Sequence, residues 1–129
     1  MRLLIVEDSA LIRKVTRLAF PSKEHELYEA EDGQAALDLL DDTAEPFDAI
    51  LLDLQMPRMN GCQFIRALRD RPQHRDTPVV LATSERETSE LFREARTLNP
   101  AAVVNKPWNP KALAELVRGI VDRPGERKE

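Results

Sequence analysis

Short unbroken apolar runs alternate along this chain with stretches whose apolar residues recur every three or four positions. Leu3-Leu4-Ile5-Val6 is the first run, and Ala49-Ile50-Leu51-Leu52, Val79-Val80-Leu81-Ala82 and Ala101-Ala102-Val103-Val104 repeat the type. Runs without polar alternation fit strands covered on both faces, as in a parallel sheet. Glu26 to Ala30 is more polar and reads as an edge strand. The intervening stretches carry helical stripes: Leu11, Ile12, Val15, Leu18 and Ala19; Ala36, Leu37 and Leu40; Phe64, Ile65 and Leu68; Leu91, Ala95 and Leu98; Leu113, Leu116, Val117, Ile120 and Val121. Asp32-Gly33 is a start signal for the second helix. Asn109 as N-cap with Pro110 in the first turn marks the start of the fifth. Strand and helix thus alternate five times. This (βα)5 pattern predicts an α/β domain with a five-stranded parallel sheet and helices on both faces.

Composition narrows the class without naming a function. The 129 residues suit one domain, read as residues 1–121 followed by a polar tail, 122–129. A hydrophobic fraction of 42% supports a core, and the net charge of −4 with scattered basic residues gives no nucleic-acid footprint. No apolar stretch is long enough to span a membrane, and acids interrupt the first apolar run after Val6, unlike a secretion signal. The single cysteine, Cys62, excludes an internal disulfide. It reads as a small, partly buried helix residue. These features predict a cytoplasmic protein.

The strand ends are more informative. In open α/β sheets, ligands bind beyond the carboxyl ends of the strands. The first strand runs into Glu7-Asp8, the third ends at Asp53, the fourth at Thr83-Ser84, and the fifth is followed by Lys106-Pro107. One sheet edge therefore collects three carboxylates, a hydroxyl and a lysine. The carboxylates would repel one another unless a cation joined them. Oxygen ligands favour Mg²⁺, Mn²⁺ or Ca²⁺ over zinc. Lys106 offers a compact positive charge to a phosphoryl oxygen and Thr83 a hydrogen bond. Asp53, between metal and lysine, is placed to attack phosphorus and form an acyl phosphate. Taken singly, each residue has a plainer reading: a solvated turn for Glu7-Asp8, turn chemistry for Asp53, a helix N-cap for Thr83 and a surface lysine for Lys106.

Glu7-Asp8, Asp53 followed by Met56-Pro57 and Gly61, Thr83, and Lys106-Pro107 together resemble the CheY-like response-regulator receiver family of two-component signalling, over roughly Met1 to Val121. The resemblance implies a flavodoxin-like strand order 2-1-3-4-5. It implies Mg²⁺ held by Asp8, Asp53 and the backbone carbonyl of Gln55, with Glu7 acting through water. Asp53 would be the phosphoacceptor, Lys106 would bind the phosphoryl group, Thr83 would move toward it, and the Lys106–Pro107 bond would be cis. The chain would be no enzyme beyond its own phosphorylation and dephosphorylation. A histidine kinase or histidine phosphotransfer protein would donate the phosphoryl group. A surface of fourth helix, fifth strand and fifth helix would then control a protein target, with phosphorylation-dependent dimerisation as a further option. No output element is legible after Val121, so the resemblance is to a single-domain regulator with no DNA or membrane partner.

The chain departs from the family where Val103 replaces a common aromatic, which points to the Ser84–Thr88 loop and the fourth helix as the moving parts. The family's frequent glycine is also missing from Leu98-Asn99-Pro100-Ala101, where Pro100 should end the fourth helix. Gln55 and Glu85 occupy positions that, in the family the chain resembles, tune phosphoryl lifetime. His25 and His74 read as surface residues. Trp108 is either exposed near a partner surface or packed over the start of the last helix. Three other classes compete with this reading. A haloacid-dehalogenase-type phosphatase expects a second aspartate where Gln55 stands. A flavodoxin expects a phosphate-cradling first loop where Glu7-Asp8 stands. A phosphorylation-independent pseudo-receiver would be an interaction module with all these positions filled.

Overall fold

The computed structural model describes residues 1–84, 86, 88–106 and 108–122. The expectations for Glu85, for the Lys106–Pro107 bond and for the tail beyond Asp122 lie outside the described residues. In chain order the elements are β1 (Arg2–Val6), α1 (Ala10–Ala19), β2 (Glu26–Ala30), α2 (Gly33–Asp42), β3 (Ala49–Asp53), α3 (Gly61–Arg69), a 3-10 turn (Pro72–His74), β4 (Val79–Thr83), α4 (Glu90–Thr97), β5 (Ala102–Asn105) and α5 (Pro110–Val121). The strands form one parallel sheet in the order β2-β1-β3-β4-β5.

Strand periodicity divides the core into two layers. Leu4, Val6, Ile50, Leu52, Val79 and Leu81 face α2, α3 and α4, where they pack with Leu37, Leu40, Phe64, Leu68 and Phe92. Leu3, Ile5, Leu51 and Val80 face the other way, against Phe20 of the α1 end and Leu113 and Val117 of α5. Central β3 and β4 are buried throughout. The polar run Glu26–Ala30 forms the expected edge. The apolar run in β5 forms the other edge and is only half-buried, contrary to its reading as a strand covered on both faces. Apolarity in a short run reports tolerance of burial, whereas strand order decides which runs obtain a neighbour on both sides.

The helix starts follow local chemistry. Ser9, Asp32, Asn60, Ser89 and Asn109 are N-caps whose side-chain oxygens accept from backbone N–H groups in the first turn. Ser89, not Thr83, caps α4. At the far end of α4, Asn99 takes φ 53, supplying the left-handed turn for which the family often uses glycine. The helix itself ends at Thr97, ahead of Pro100.

In α1 the expected apolar stripe is wrong in part. Leu11 and Leu18 are 69% and 73% exposed. The buried stripe includes Thr16 and Ala19, and the Thr16 hydroxyl reconciles itself to the interior by donating to the Ile12 carbonyl at 2.7 Å. Leu11 and Leu18 lie about 100° of helical rotation from Ile12 and Ala19, enough to turn them to solvent. Both histidines also depart from their surface reading. His74 is buried at the end of the 3-10 turn, with Nδ1 3.4 Å from Thr77 Oγ1. The His25 side chain is covered by an edge-on Phe20 ring and contacts the N-terminal amine. Cys62 is fully rather than partly buried.

Candidate functional site

Strand register brings the polar strand ends to one level. Val6 pairs with Leu52, so Glu7 stands beside Asp53, and Asp53 in turn pairs with Ala82, next to Thr83. Thr83 pairs with Asn105, and the Lys106 amide donates to the Thr83 carbonyl at 2.9 Å. Parallel pairing therefore carries Lys106 to within 2.7 Å of Glu7 Oε1 and 3.2 Å of Asp53 Oδ1. Glu7, Asp53 and Thr83 are buried, and Asp8 is exposed at the rim. One carboxylate oxygen each from Glu7, Asp8 and Asp53 lies within 4.8 Å of the others.

Backbone amides fix the two buried acids. The Ser9 amide donates to Glu7 Oε2 at 3.1 Å, and the Gln55 amide donates to Asp53 Oδ1 at 3.2 Å. Gln55 itself is exposed. Glu7 is also the direct partner of Lys106. Arg13, which the sequence did not single out, donates to the Glu7 carbonyl at 2.6 Å and pairs with Glu29 at 3.0 Å, tying α1 to the strand end. A single arginine in the first turns of a helix gives no sequence signal of that contact. Trp108 packs with the α1/α5 core layer and lines a pocket with Ile12, Val15 and Lys106, so the packed alternative holds. Val103, at the common aromatic position, packs half-buried against the other layer.

The electrostatics are unbalanced. Burial pushes the Glu7 carboxyl up to about 7, with the neighbouring Asp53 charge adding to the effect and Lys106 opposing it. Burial also raises Asp53, against the stabilising pull of Lys106. Burial works against the Lys106 ammonium, but its hydrogen bond to Glu7 and the field of Asp53 outweigh that and hold it above its ordinary value. Two buried acids share one lysine, and Asp8 adds a third carboxylate. This is an all-oxygen set with excess negative charge, and it fits a hard divalent cation. Removing carboxylates from water is tolerated only when partners replace the solvent, and Lys106 supplies too little charge for all of them.

A family model described as the response regulator receiver domain matches residues 3–118. The chain is 34% identical over 123 residues to the phosphate regulon transcriptional regulatory protein PhoB of Klebsiella pneumoniae, covering 95% of this chain and 52% of that protein. It thus spans about half the length of such relatives. It is 30% identical over 125 residues to a chemotaxis protein CheY homolog of Campylobacter jejuni, covering 94% of this chain and 92% of that one. The structure of the chemotaxis protein CheY4 of Vibrio cholerae superposes with a TM-score of 0.81 at 29% identity, over 92% of this chain and 97% of that one. With the strand order, the matched span and the acidic edge in agreement, the chain belongs to the response regulator receiver domain family, the CheY-like receivers of two-component systems.

Proposed function

We propose that this receiver accepts a phosphoryl group on Asp53 in a Mg²⁺-dependent reaction and uses it to switch a protein-binding surface. The observation that carries this reading is the meeting of Glu7, Asp8 and Asp53 with Lys106 at the carboxyl edge of the sheet. Glu7, Asp8 and Asp53 would hold the cation, with Gln55 contributing from the following loop. When bound, Mg²⁺ supplies charge neutralisation for the phosphoryl oxygens and the carboxylates. The chain supplies the rest. The Asp53 carboxylate attacks phosphorus as the bond from phosphorus to the donor's leaving atom breaks, giving an acyl phosphate. The Gln55 amide, hydrogen-bonded to Oδ1, fixes the carboxylate's orientation for that attack. Lys106 exchanges part of its pairing with Glu7 for a phosphoryl oxygen, and Thr83 offers a hydroxyl from the neighbouring strand end.

The donor would be a histidine kinase or histidine phosphotransfer protein in the cytoplasm. Added charge at Asp53 would shift an equilibrium between surface conformations of α4, β5 and α5, with control of a protein target as the output. Chemistry would be confined to the chain's own phosphorylation and dephosphorylation. Intact-mass spectrometry after incubation with acetyl phosphate and Mg²⁺ tests this. One phosphoryl adduct is expected on the wild type, none on Asp53→Asn and none in EDTA. A folded wild type that gains no adduct and forms no beryllofluoride complex would make the chain a pseudo-receiver.

A further inference from the structure

The loop between Asp53 and α3 is tied across to α2 by a contact that the switching chemistry above does not use. Arg58 has φ 67, a left-handed conformation disfavoured by any residue carrying a Cβ. From that backbone its guanidinium reaches Asp32, the N-cap of α2, and hydrogen-bonds Oδ2. The two partners are unequal. The Arg58 side chain is 73% exposed, whereas that of Asp32 is 10% exposed and also caps α2, accepting from the Ala35 amide at 2.8 Å. Beside this pair, Met59 lies against Gly33 so closely that a Cβ on Gly33 would sit 2.7 Å from Met59 Sδ. The loop also closes on itself. The Gly61 amide donates to the Leu54 carbonyl at 2.8 Å, and the Asn60 amide donates to Gln63 Oε1 at 2.9 Å. Its other end begins with the Gln55 amide on Asp53 Oδ1. A backbone held at both ends transmits a displacement at its middle to Gln55.

We infer that the Arg58–Asp32 pair is a latch that positions the Asp53–Gly61 loop and thereby sets how well the acidic edge binds a divalent cation. The left-handed backbone at Arg58 is what aims its side chain at α2, and the Met59–Gly33 contact leaves the loop little room to settle elsewhere. Arg58 is then a positioning residue acting through Gln55 and Asp53. The inference rests on the proposed divalent-cation site, but it can fail separately from phosphorylation.

Two variants separate the latch from its neighbours. Arg58→Gly removes the guanidinium while suiting the left-handed backbone, so a loss cannot be ascribed to strain. Asp32→Asn keeps an oxygen to cap α2 while removing the charge. Mg²⁺ affinity is read by calorimetry, without phosphoryl donor, and amide hydrogen exchange at Gln55 and Gly61 by NMR in EDTA. Both variants should bind Mg²⁺ about tenfold more weakly, as is typical when a group supporting a metal ligand is lost. Exchange at both amides should quicken with the melting temperature little changed, and Arg58→Lys should recover part of the affinity. Wild-type Mg²⁺ affinity in both variants would overturn the latch, whether or not exchange changes. These readouts stand even if the wild type accepts no phosphoryl group.

Discussion

The two edges of the sheet each hold a cation among acids, and they resolve the charge in opposite ways. At the amino edge, Arg2 pairs with Glu26 and Glu45, donates to Thr43 Oγ1 and to the carbonyls of Glu45 and Pro46, and lies over the rings of Tyr28 and Phe47 at 4.8 and 4.5 Å. Its acidic partners are exposed, so water shares the burden of solvating them. The arrangement is closed: a planar guanidinium with its donors satisfied and its faces covered. At the carboxyl edge, Lys106 meets two buried carboxylates, with a third acid at the rim. That arrangement is open, because the acids outnumber the cation and their burial denies them solvent. The amino edge stabilises the fold, and the carboxyl edge keeps an electrostatic debt that a ligand can relieve.

Removing each cation should expose the difference. Lys106→Met leaves Glu7 and Asp53 buried without their counter-ion. The metal-free protein should lose about 3 kcal/mol in urea unfolding above pH 7, as for a broken buried pair. The loss should shrink toward pH 5, where the acids escape by taking up protons. An undiminished loss at low pH would mean that lost packing, not charge, is responsible. Glu7 sharpens the same point by titration. Its folded pKa of about 7 exceeds its ordinary value of 4.5, so the native state binds the extra proton between those limits. The stability Glu7 contributes is therefore complete below about 4.5 and is lost as pH rises through 7. Metal-free melting temperatures should fall across that window, and Glu7→Gln should flatten the slope. Millimolar Mg²⁺ should flatten it too, by stabilising the ionised form.

Arg2→Ala should cost less, about 1–2 kcal/mol, from lost ring contacts and exposed pairs. It should leave phosphoryl labelling of Asp53 unchanged, and reduced labelling in a folded variant would show the two edges to be coupled. The smallest effect concerns His74. Burial first, then the positive charges of Arg71 and Arg69, lower its pKa below the ordinary 6.5. The unfolded chain then binds the proton more readily, so stability rises with pH up to about 6.5 and falls on acidification below it. This is opposite in sign to Glu7. Urea titrations of wild type and His74→Leu between pH 5 and 7 should show the wild type losing stability relative to His74→Leu as pH falls.

Element identity was legible because its causes are local. Unbroken apolar runs, one more polar run and period-3.6 stripes, with caps at Asp32 and Asn109, placed the second strand as an edge at Glu26–Ala30 and the last helix at Pro110. The candidate site was legible because strand ends are sequence-marked and parallel pairing collects them at one edge. Burial was less so. Leu11 and Leu18 are apolar enough for the core but are turned away from it. His74 is polar enough for the surface but is enclosed there, its neighbour Arg69 donating to the His74 and Thr77 carbonyls.

The sequence by itself thus determined the (βα)5 alternation, the acids and lysine at the strand ends, and the starts of the second and fifth helices, since each depends on residues within a turn or two of one another. Tertiary structure alone decided that Lys106 would pair with Glu7, 99 positions away, and that Arg58 would reach back to Asp32. It also decided which of two equally apolar strands would lie at an edge. Those outcomes depend on sheet order, register and the backbone angle of single loop residues, which emerge only when distant segments compete for the same neighbours.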